Sequence, residues 1–566
     1  MMLHSLIKFF EILWRIQRFL ICWFAPIVWL PLLLIPMQEA KCGYVVLVMV
    51  TYWFTEVIPM AITALIPVIL FPLLKIVSSE EIAKSYFNGT IMVFLGSLIA
   101  ACAVKKSNLH ERIALKVILL TGTSPRRLFF GFMFTTAFLS MWISNLASVA
   151  LMIPIVSAAF DQLTRKQSVS YGTCNNESSV YVTLDENSEK RRASVSRNRS
   201  VSFSAALKKK ESKRLKKGVL IGICYASNIG GTGTLTGSST NLVLNAFLKN
   251  DQISFSDWFL YNLPGLIILV FFLWIFLCWI FIANKKSHLD TKQNEQHVYE
   301  ILRLQYQKLG PISFHEQAVL LLFGLLLMLW FFRAPDFMSG WTTIFSENNQ
   351  YINDSTPTML IVLLFFLIPA KPRNLKNSPM LLDWKTTQEK VSWSVILLLG
   401  GGFAMAKGCE KSGLSVMLGG SLKIFENFPH SAITMMMCSV ALILTELVSN
   451  TAAITILLPV IQQMSLHINV NPISVMLPVT VCCSYAFMLP FASGTNAIVF
   501  EVGKMKNKDL LLPGSFMKII SLIVLMVMNS TWGRIIFDSM SPIQSQGAQF
   551  LTAHNQTFHI RQSDLS

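Results

Sequence analysis

The chain has 566 residues, of which 53% are hydrophobic and only 14% are charged. Soluble domains carry about 25% charged residues, and a chain this apolar would expose too much hydrophobic surface to stay dispersed in water. The composition also excludes disordered and collagen-like chains. It predicts an all-α polytopic membrane protein.

The net charge of +17 is concentrated in one polar stretch. Residues 165–217 contain 14 Lys and Arg against 5 Asp and Glu, which is more than half of the positive excess. In a soluble protein such a balance would indicate a nucleic-acid partner, but basic loops of membrane proteins mark the cytoplasmic side. We therefore predict a cytoplasmic loop here and expect no nucleic-acid partner.

The same charge rule orients the ends of the chain. A basic segment precedes the first apolar run, which predicts a first transmembrane helix with a cytoplasmic N-terminus. Residues 334–356 contain no Lys or Arg, and the tail 538–566 contains one. Both are expected outside the cell, so that Asn555 is a predicted glycosylation site and Asn353 heads a second sequon on the same side.

Two interrupted apolar segments resemble each other. They read MWISNLASVALMIPIV (141–156) and ELVSNTAAITILLPVI (446–461), and in each a Ser-Asn pair precedes a Pro that follows the Ser by ten positions. The apolar arms beside each Ser-Asn pair run about 15 residues, whereas a spanning helix needs about 20. The pattern predicts two re-entrant hairpins, at 129–160 and 431–463.

A second pair of segments follows downstream. GGTGTLTGSSTNLVL (230–244) and LPFASGTNAIVF (489–500) place Gly, Ser and Thr in the middle of apolar stretches. Exposed backbone at membrane depth is tolerated where it lines a site, so these segments predict two broken helices. Small residues that mediate close helix contacts would explain one such motif alone. Two pairs in matching order predict an inverted repeat and a secondary transporter.

The residue types in these segments fit an anion and a cation together. Hydroxyls and unwound carbonyls suit sodium, while amides and helix N-termini suit an anion. An anionic substrate would meet no fixed cation, since no Lys or Arg occurs in the four stretches 128–160, 218–248, 431–463 and 475–500. Helix dipoles supply about half a charge per end. We therefore expect sodium ions to be co-transported, with exchange that relies on dipoles and water as the alternative.

At the level of whole motifs the chain resembles a known family. The motifs are SNLASVALMIPI, SNTAAITILLPV, LQYQKLGPISFHE (304–316) and LLDWKTTQEKVSWSVILLLGGGFAMAKGCEKSGLS (381–415). They are similar to those of the divalent anion–sodium symporters, which include sodium–dicarboxylate, sodium–citrate and sodium–sulfate cotransporters and the INDY-type citrate carriers of insects. The resemblance implies a homodimer in the lipid bilayer of the plasma membrane, with about 11 transmembrane helices per protomer. It further implies an elevator mechanism, in which a transport domain moves against a scaffold domain.

The resemblance also implies site residues. One sodium site would be formed by Ser140, Ser144, Asn145 and the backbone near Ser239. The other would be formed by Thr445, Ser449, Asn450 and the backbone near Ala492. The substrate would be bound by Asn145, Asn450, Thr451, Ser238 and Ser493.

Two departures from the family pattern bear on the substrate and on coupling. Leu146 stands where the first hairpin of the family usually has Thr, and Ser493-Gly494-Thr495-Asn496 stands where the second broken helix usually has Thr-Pro-Pro-Asn. The 381–415 stretch looks more like the citrate and dicarboxylate branch, so we expect di- or tricarboxylates rather than sulfate. The insect carriers also lack the first Thr and exchange carboxylates without sodium, so sodium-independent exchange is one alternative. The Ser239-Thr240 pair before Asn241 is similar to the sulfate and insect branches, so sodium–sulfate cotransport is the other.

Other residues have more than one interpretation. Ser194 and Ser200, with upstream arginines, fit basophilic kinases, although the loop also fits a solvated linker near anionic lipid. Glu446, beside the second Ser-Asn pair, is predicted to tune the second cation site, to carry a proton, or to be a structural acid. A membrane enzyme is disfavoured because the histidines have no metal-ligand spacing and no GxxxxGK loop occurs. An anion channel on the same architecture is the remaining alternative.

The chain is thus predicted to divide into consecutive segments. These are the N-terminus with the first helix (1–40), the first part of repeat 1 with its hairpin (41–164), the basic loop (165–217), the broken helix and end of repeat 1 (218–283), a cytoplasmic linker (284–316), repeat 2 with the hairpin at 431–463 and the broken helix at 475–500 (317–537), and the extracellular tail (538–566).

Overall fold

The fold is helical throughout the part of the chain that the computed structural model describes, with one isolated antiparallel bridge between Pro369 and Met380. Apart from Glu56 and Asn469, the described residues are 19–176, 211–248, 253–283, 292–333, 340–345, 352–373, 378–414, 417 and 428–539.

The helices of the N-terminal half surround the first Ser-Asn pair. They are α1 (Phe19–Leu34), α2 (Gln38–Thr55), α3 (Met60–Thr63), α4 (Ile66–Leu73), α5 (Ser79–Tyr86), α6 (Gly89–Lys106), α7 (Leu109–Thr121), α8 (Pro125–Ser140), α9 (Asn145–Asn176), α10 (helical over 211–230), α11 (Ser239–Phe247), α12 (Phe255–Cys278) and α13 (Lys292–Lys308).

The helices of the C-terminal half surround the second Ser-Asn pair. They are α14 (Phe314–Phe331), α15 (Ser355–Leu367), α16 (Trp384–Lys390), α17 (Trp393–Ser412), α18 (His430–Leu447), α19 (Asn450–His467), α20 (Pro472–Cys483), α21 (Gly494–Val502), α22 (Asn507–Ser530) and α23 (Trp532–Ser539).

Several helices are long and apolar enough to cross a bilayer. Among the described residues five pass on length and hydropathy, and a sixth span arises if α16 and α17, bent by 62° at their junction, count as one. The five are Ser79–Lys106, Phe255–Ile282, Phe314–Phe331, His430–Leu447 and Asn507–Ile536. The chain is therefore a multi-pass α-helical membrane protein, and the figure of 11 spans stays a prediction.

Both Ser-Asn pairs lie at helix breaks, as the sequence predicts. In the first hairpin (α8 and α9), one helix ends at Ser140 and the next begins at Asn145. In the second hairpin (α18 and α19), Ser449 is the N-cap and its Oγ accepts the N–H of Ala452 at 3.4 Å. The helix breaks are confirmed, while the re-entrant path through the bilayer remains a prediction.

The two predicted broken helices are also interrupted at the expected places. The first broken helix (α10 and α11) is non-helical over 231–238, and the second broken helix (α20 and α21) is non-helical over 484–493. Each unwound stretch contains small polar residues and ends in a Ser at the N-cap position of the following helix, Ser238 and Ser493. The Ser493 side chain accepts the N–H of Asn496, whereas Ser238 makes no such capping bond. The interruptions therefore end where the sequence supplies helix N-caps.

Two apolar cores fill the protein. A small core joins α1, α2, α4, α5 and α17 and includes the buried rings of Trp53, Phe71 and Tyr86. A much larger core encloses both broken helices together with α12 and α22. Both broken helices and the first hairpin thus pack in the larger core. The second hairpin contributes to both cores, because Val448 and Ala452 at its tip belong to the small one.

The Gly400-Gly401-Gly402 run lies inside the unbroken α17 and serves close helix contacts. A Cβ on Gly400 would lie 2.2 Å from Tyr86 Cδ1, and one on Gly402 would lie 2.8 Å from Thr455 Cγ2. The run therefore brings α17 against α5 on one side and against the second hairpin on the other.

Candidate substrate and cation site

Three oxygens converge at the tip of the first hairpin. Ser140 Oγ lies 2.6 Å from Asn145 Oδ1 and 2.8 Å from the carbonyl oxygen of Ser227, which is in α10. Ser140 is fully buried, and the amide Nδ2 of Asn145 lies 3.5 Å from Asn228 Oδ1. The hydroxyl has a single proton to share between two acceptors. The cluster therefore contains more acceptor oxygens than hydroxyl hydrogens that could bridge them.

The second hairpin repeats this arrangement. Thr445 Oγ1 lies 2.7 Å from Asn450 Oδ1 and 2.8 Å from the carbonyl oxygen of Cys483, at the end of α20. Thr445 is also fully buried. The residue pairs Ser140–Asn145 and Thr445–Asn450, taken from equivalent positions in the two sequence copies, thus make equivalent contacts. We call these two clusters the first and second oxygen triads.

An asparagine after each unwound stretch ties that stretch together. Asn241 Nδ2 donates to the carbonyls of Gly231 and Thr234 at 2.9 and 2.8 Å. Asn496 Nδ2 donates to the carbonyls of Ala486 and Leu489 at 3.2 and 2.9 Å. In both copies the acceptors lie ten and seven residues before the asparagine. Sequence reasoning quotes these two asparagines in its motifs but assigns them no role.

The two broken helices cross and are linked through polar side chains. Asn228 Oδ1 lies 3.3 Å from Thr495 Oγ1, while its Nδ2 donates to the carbonyl of Ala486 at 2.9 Å. On the opposite side, Thr240 Oγ1 lies 2.7 Å from Ser484 Oγ. Asn228 also approaches Asn145, so it joins the first hairpin to both broken helices. Sequence reasoning missed Asn228, because no other asparagine stands at the equivalent place, which Ser484 occupies.

Each hairpin tip touches the broken helix of the other half. Thr451 Oγ1, in the first turn of α19, lies 2.6 Å from Ser239 Oγ, in the first turn of α11. Leu146, in the first turn of α9, faces Gly494, where an added Cβ would lie 3.2 Å from Leu146 Cδ1. Four helix N-termini thus meet in two pairs, and such ends favour bound anions.

The remaining predicted ligands lie around these contacts. Ser144 is exposed at the tip of the first hairpin, and Ser449 Oγ lies 3.2 Å from Met60 Sδ. Ser238 Oγ lies 2.9 Å from Thr240 Oγ1, and the equivalent Ser493 lies 2.8 Å from Thr495 Oγ1. Both capping serines are half-buried, whereas Ala492 is buried. Ser194, Ser200 and Asn555 lie outside the described residues.

The Ser239 hydroxyl belongs with the second hairpin rather than the first. The resemblance places the backbone near Ser239 in the sodium site of the first hairpin, yet the side chain contacts Thr451. Asn145, in the first hairpin, instead lies beside Gly231, where an added Cβ would come within 2.4 Å of Asn145 Oδ1. Gly231, at the start of the unwound stretch, thus lies beside the first oxygen triad, while the backbone near Ser239 as a cation ligand stays a prediction.

One buried ion pair borders the second triad. Glu446 Oε1 lies 2.8 Å from Lys518 Nζ, and both side chains are less than 10% exposed. Lys518 comes from α22, outside the four stretches that lack Lys and Arg. In the described ranges no three His, Cys, Asp or Glu side chains are grouped to hold a metal ion. Hydroxyl, amide and carbonyl oxygens are therefore the cation ligands that the site offers.

Comparison with known proteins places these features in a family. The sodium:sulfate symporter transmembrane region matches residues 9–538 of the chain. A Na(+)/citrate cotransporter of Rattus norvegicus is 40% identical over 93% of this chain and 96% of its own length. A Na(+)/dicarboxylate cotransporter 3 of Homo sapiens is 36% identical over 93% of each chain. Solute carrier family 13 member 2 of Oryctolagus cuniculus is 38% identical over 93% of this chain and 94% of its own.

Proposed function

The chain belongs to the sodium:sulfate symporter family, and from that premise we propose that it is a secondary active transporter that carries di- or tricarboxylates, of the citrate and succinate class, together with sodium ions. Membership also decides the class of protein, because relatives named as cotransporters make this chain a transporter and not a membrane enzyme. The relatives named for citrate and dicarboxylates support carboxylates over sulfate.

The duplicated oxygen triads carry the sodium part of the proposal. In each triad a buried hydroxyl lies within 2.8 Å of two acceptor oxygens. One hydroxyl proton can satisfy only one of those contacts, so the other is an oxygen–oxygen approach without a hydrogen. A small cation at each triad would replace that repulsion by coordination, and carbonyl and hydroxyl oxygens are the ligands that sodium takes in such broken helices.

The paired helix N-termini support the anionic substrate. Thr451 and Ser239 offer two hydroxyls at one pair of helix ends, and Asn145 and Asn450, whose Oδ1 atoms belong to the triads, add side-chain amides. The basic group nearest the second triad, Lys518, is already paired with Glu446. A carboxylate bound here would therefore depend on co-bound sodium for charge balance, which couples the two cargoes.

The assembly and its motion are part of the same proposal. We infer a plasma-membrane homodimer with about 11 spans per protomer, in which the body that holds the hairpins moves as an elevator against the body around α2 and α17. The small core supports this division in part, because it contains α2, α4 and α5 and no described residue of the broken helices, while Val448 and Ala452 of the second hairpin lie against it. The basic segment before the first apolar run supports a cytoplasmic N-terminus, and the tail, with one Arg and no Lys, supports an extracellular C-terminus.

The proposal is tested by uptake of labelled citrate, succinate and sulfate into oocytes that express the chain, with external sodium or with choline in its place. We expect saturable carboxylate uptake that collapses in choline. Sulfate uptake without carboxylate uptake would overturn the substrate, and non-saturable flux without exchange acceleration would identify a channel.

Variants of the triads refine this test. Ser140→Ala and Thr445→Ala each remove one ligand, so each is expected to raise the sodium concentration at half-maximal uptake. Ser515→Ala is the matched control, because Ser515 is an exposed hydroxyl that bonds only within its own helix, to the carbonyl of Leu511. Unchanged sodium dependence in both triad variants would contradict the assignment of the cation sites.

One observation favours a second candidate function. Leu146 removes a hydroxyl from the first hairpin tip, as in the insect carriers that exchange carboxylates without sodium. Such an exchanger would retain uptake in choline and would be accelerated by carboxylate inside the cell. That result would replace symport by exchange and withdraw both sodium sites.

A further inference from the structure

The Glu446 side chain accepts hydrogen bonds from backbone N–H groups of the second unwound stretch. It lies at the end of α18 and is 5% exposed. Its carboxylate accepts the N–H groups of Phe487, Met488 and Leu489 at 2.9, 3.0 and 2.9 Å. Backbone donors in an unwound segment within a membrane need such partners. Glu446 therefore satisfies three of them at once.

The same stretch is held on its acceptor side by asparagines. The carbonyls of Ala486 and Leu489 receive hydrogen bonds from Asn496, and that of Ala486 receives another from Asn228. The backbone N–H groups of this stretch are thus bound by Glu446, and its backbone carbonyls are bound by the two asparagines. The positions of the carbonyls in this stretch, including those near Ala492, depend on Glu446 as much as on the asparagines.

Lys518 makes this arrangement compatible with burial. Its ammonium lies 2.8 Å from Glu446 Oε1 and donates as well to the carbonyl of Leu442 in α18. A carboxylate buried without a counter-charge is strongly destabilising, and breaking a buried pair leaves such a charge behind. Lys518 therefore links α22 to the end of α18 and places a counter-charge beside the Glu446 side chain.

The groups around Glu446 argue against a role in carrying protons. Its two oxygens face three N–H groups and an ammonium, all of which are donors. A protonated carboxyl would direct an O–H toward these donors, where the described contacts offer it no acceptor. The described contacts therefore fit a side chain that holds the backbone rather than one that transfers a proton.

Among the described residues of the first half, no equivalent ion pair stands beside the first triad. Met141 stands at the position equivalent to Glu446, directly after the triad hydroxyl residue Ser140. There the Thr234 hydroxyl donates an uncharged hydrogen bond to the Met141 carbonyl. The two oxygen triads are therefore alike in their ligands and different in what holds them. Only the second depends on a pair of charges.

We propose that Lys518 and Glu446 are positioning residues for the second cation site. Together they hold the unwound stretch 484–493 so that the Cys483 carbonyl and the backbone near Ala492 keep their places around Thr445 and Asn450. Neither residue touches the cation. This inference rests on the proposed sodium coupling and assigns to one of its two sites a support that the other lacks.

The experiment compares Glu446→Gln, Lys518→Met and the double variant with wild type. Each single variant is expected to raise the half-saturating sodium concentration several-fold and to lower the Hill coefficient, with a smaller change in carboxylate KM at saturating sodium. The double variant is expected to recover part of the protein yield lost in Lys518→Met, because it no longer buries an unpaired charge.

A matched control comes from a second buried pair. Arg112 and Glu316 lie 2.8 Å apart with side chains 7% and 6% exposed, and they hold α7 to α14 rather than the triads. Glu316→Gln is expected to lower the yield of folded protein while leaving the sodium dependence unchanged. Equal sodium dependence in all of these variants and wild type would overturn the positioning role.

Amide hydrogen exchange separates this inference from the proposed function. In purified protein, peptides that contain 487–489 are expected to exchange at least ten-fold faster in Glu446→Gln and Lys518→Met than in wild type or Glu316→Gln. If wild-type transport proves sodium-independent, the proposed sodium coupling is wrong. The amide hydrogen exchange rates still show whether Glu446 and Lys518 hold residues 487–489. Unchanged exchange there would overturn the inference whatever the transport result.

Discussion

Thr451 and Ser239 join the second hairpin tip to the first broken helix through hydroxyls 2.6 Å apart. At the equivalent place in the other half, Leu146 lies against Gly494. The two departures from the family pattern are therefore in direct contact with each other. One end of the site therefore has two hydroxyl groups, those of Thr451 and Ser239. The other end has the apolar side chain of Leu146 beside the backbone of Gly494.

Leu146→Thr is expected to strengthen binding of a carboxylate at the first hairpin. A hydrogen bond to a charged group contributes about 1.5–3 kcal/mol, which corresponds to a roughly 10- to 100-fold lower Kd. Competition of unlabelled succinate and citrate against labelled substrate measures the effect. Thr451→Leu is the matched variant in the other half and is expected to weaken binding, so a parallel change in both variants would contradict the assignment.

Gly494→Pro is expected to be tolerated only when Leu146 is made smaller. Proline suits the first turn of a helix, where its missing N–H has no partner to lose, but a side chain at 494 would meet Leu146 Cδ1 at 3.2 Å. We expect lower uptake for Gly494→Pro and recovery for Leu146→Ala with Gly494→Pro. A double-variant cycle of carboxylate KM values measures the coupling, and additive effects would show that the two residues act separately.

Gly231→Ala is expected to disturb the first oxygen triad. Its Cβ would lie 2.4 Å from Asn145 Oδ1, so the asparagine side chain must move. Uptake should need more sodium, while the amount of protein at the cell surface changes little. Gly324→Ala is the control, because nothing lies within 4 Å of a Cβ there. The assignment would be wrong if both variants behaved like wild type.

Asn241→Ala is expected to destabilise the protein strongly. The change leaves the buried carbonyls of Gly231 and Thr234 without their donor, at about 1–3 kcal/mol for each group. The midpoint of thermal unfolding in detergent measures the loss. Asn471→Ala removes an asparagine that only caps α20 through the N–H of Ile473, so it should cost about 1 kcal/mol. Equal losses in the two variants would contradict the special role of Asn241.

Glycosylation is expected at Asn555 and not at Asn353. Asn353 Oδ1 is occupied by the N–H of Ser355 at 3.0 Å, and its Nδ2 lies 2.7 Å from where a Cβ of Gly89 would stand. The nitrogen that would bear a glycan therefore lies against α6. Asn555→Gln should abolish the mobility shift on deglycosylation of the protein from cells, whereas Asn353→Gln should leave it. A shift that survives Asn555→Gln would also contradict the predicted side of the tail.

The sequence predicts the local features of the site and misses those that depend on distant helices. The Ser-Asn breaks, and the hydroxyls of Ser140 and Thr445 four residues before each Ser, follow from a repeated pattern along the chain. Asn228 and Lys518 do not, since neither has a counterpart in the other copy. Lys518 acts through a carboxylate on another helix, and a charge inside an apolar run carries no sign of its partner.

The glycine run in α17 shows a similar limit. From its sequence alone, the Gly400-Gly401-Gly402 run fits either a tight helix contact or a break in the helix, because glycine serves both purposes. The contacts with Tyr86 and Thr455 decide for tight contact. Those partners are far away in the sequence, so no local pattern could have made the choice.

The pairing of Glu446 with Lys518 has a consequence for the membrane potential. The four apolar stretches of the hairpins and broken helices contain no Lys, Arg or Asp and only this one Glu, so together with Lys518 they carry no net fixed charge. A potential of 100 mV acts on each unit charge by about 2.3 kcal/mol. If these segments move across the bilayer, the membrane potential acts only on the substrate and the ions bound with it. The charge that crosses the membrane per transported carboxylate then gives the number of co-transported ions. Lys518→Met would add one uncompensated negative charge to the moving part and make its passage voltage-dependent.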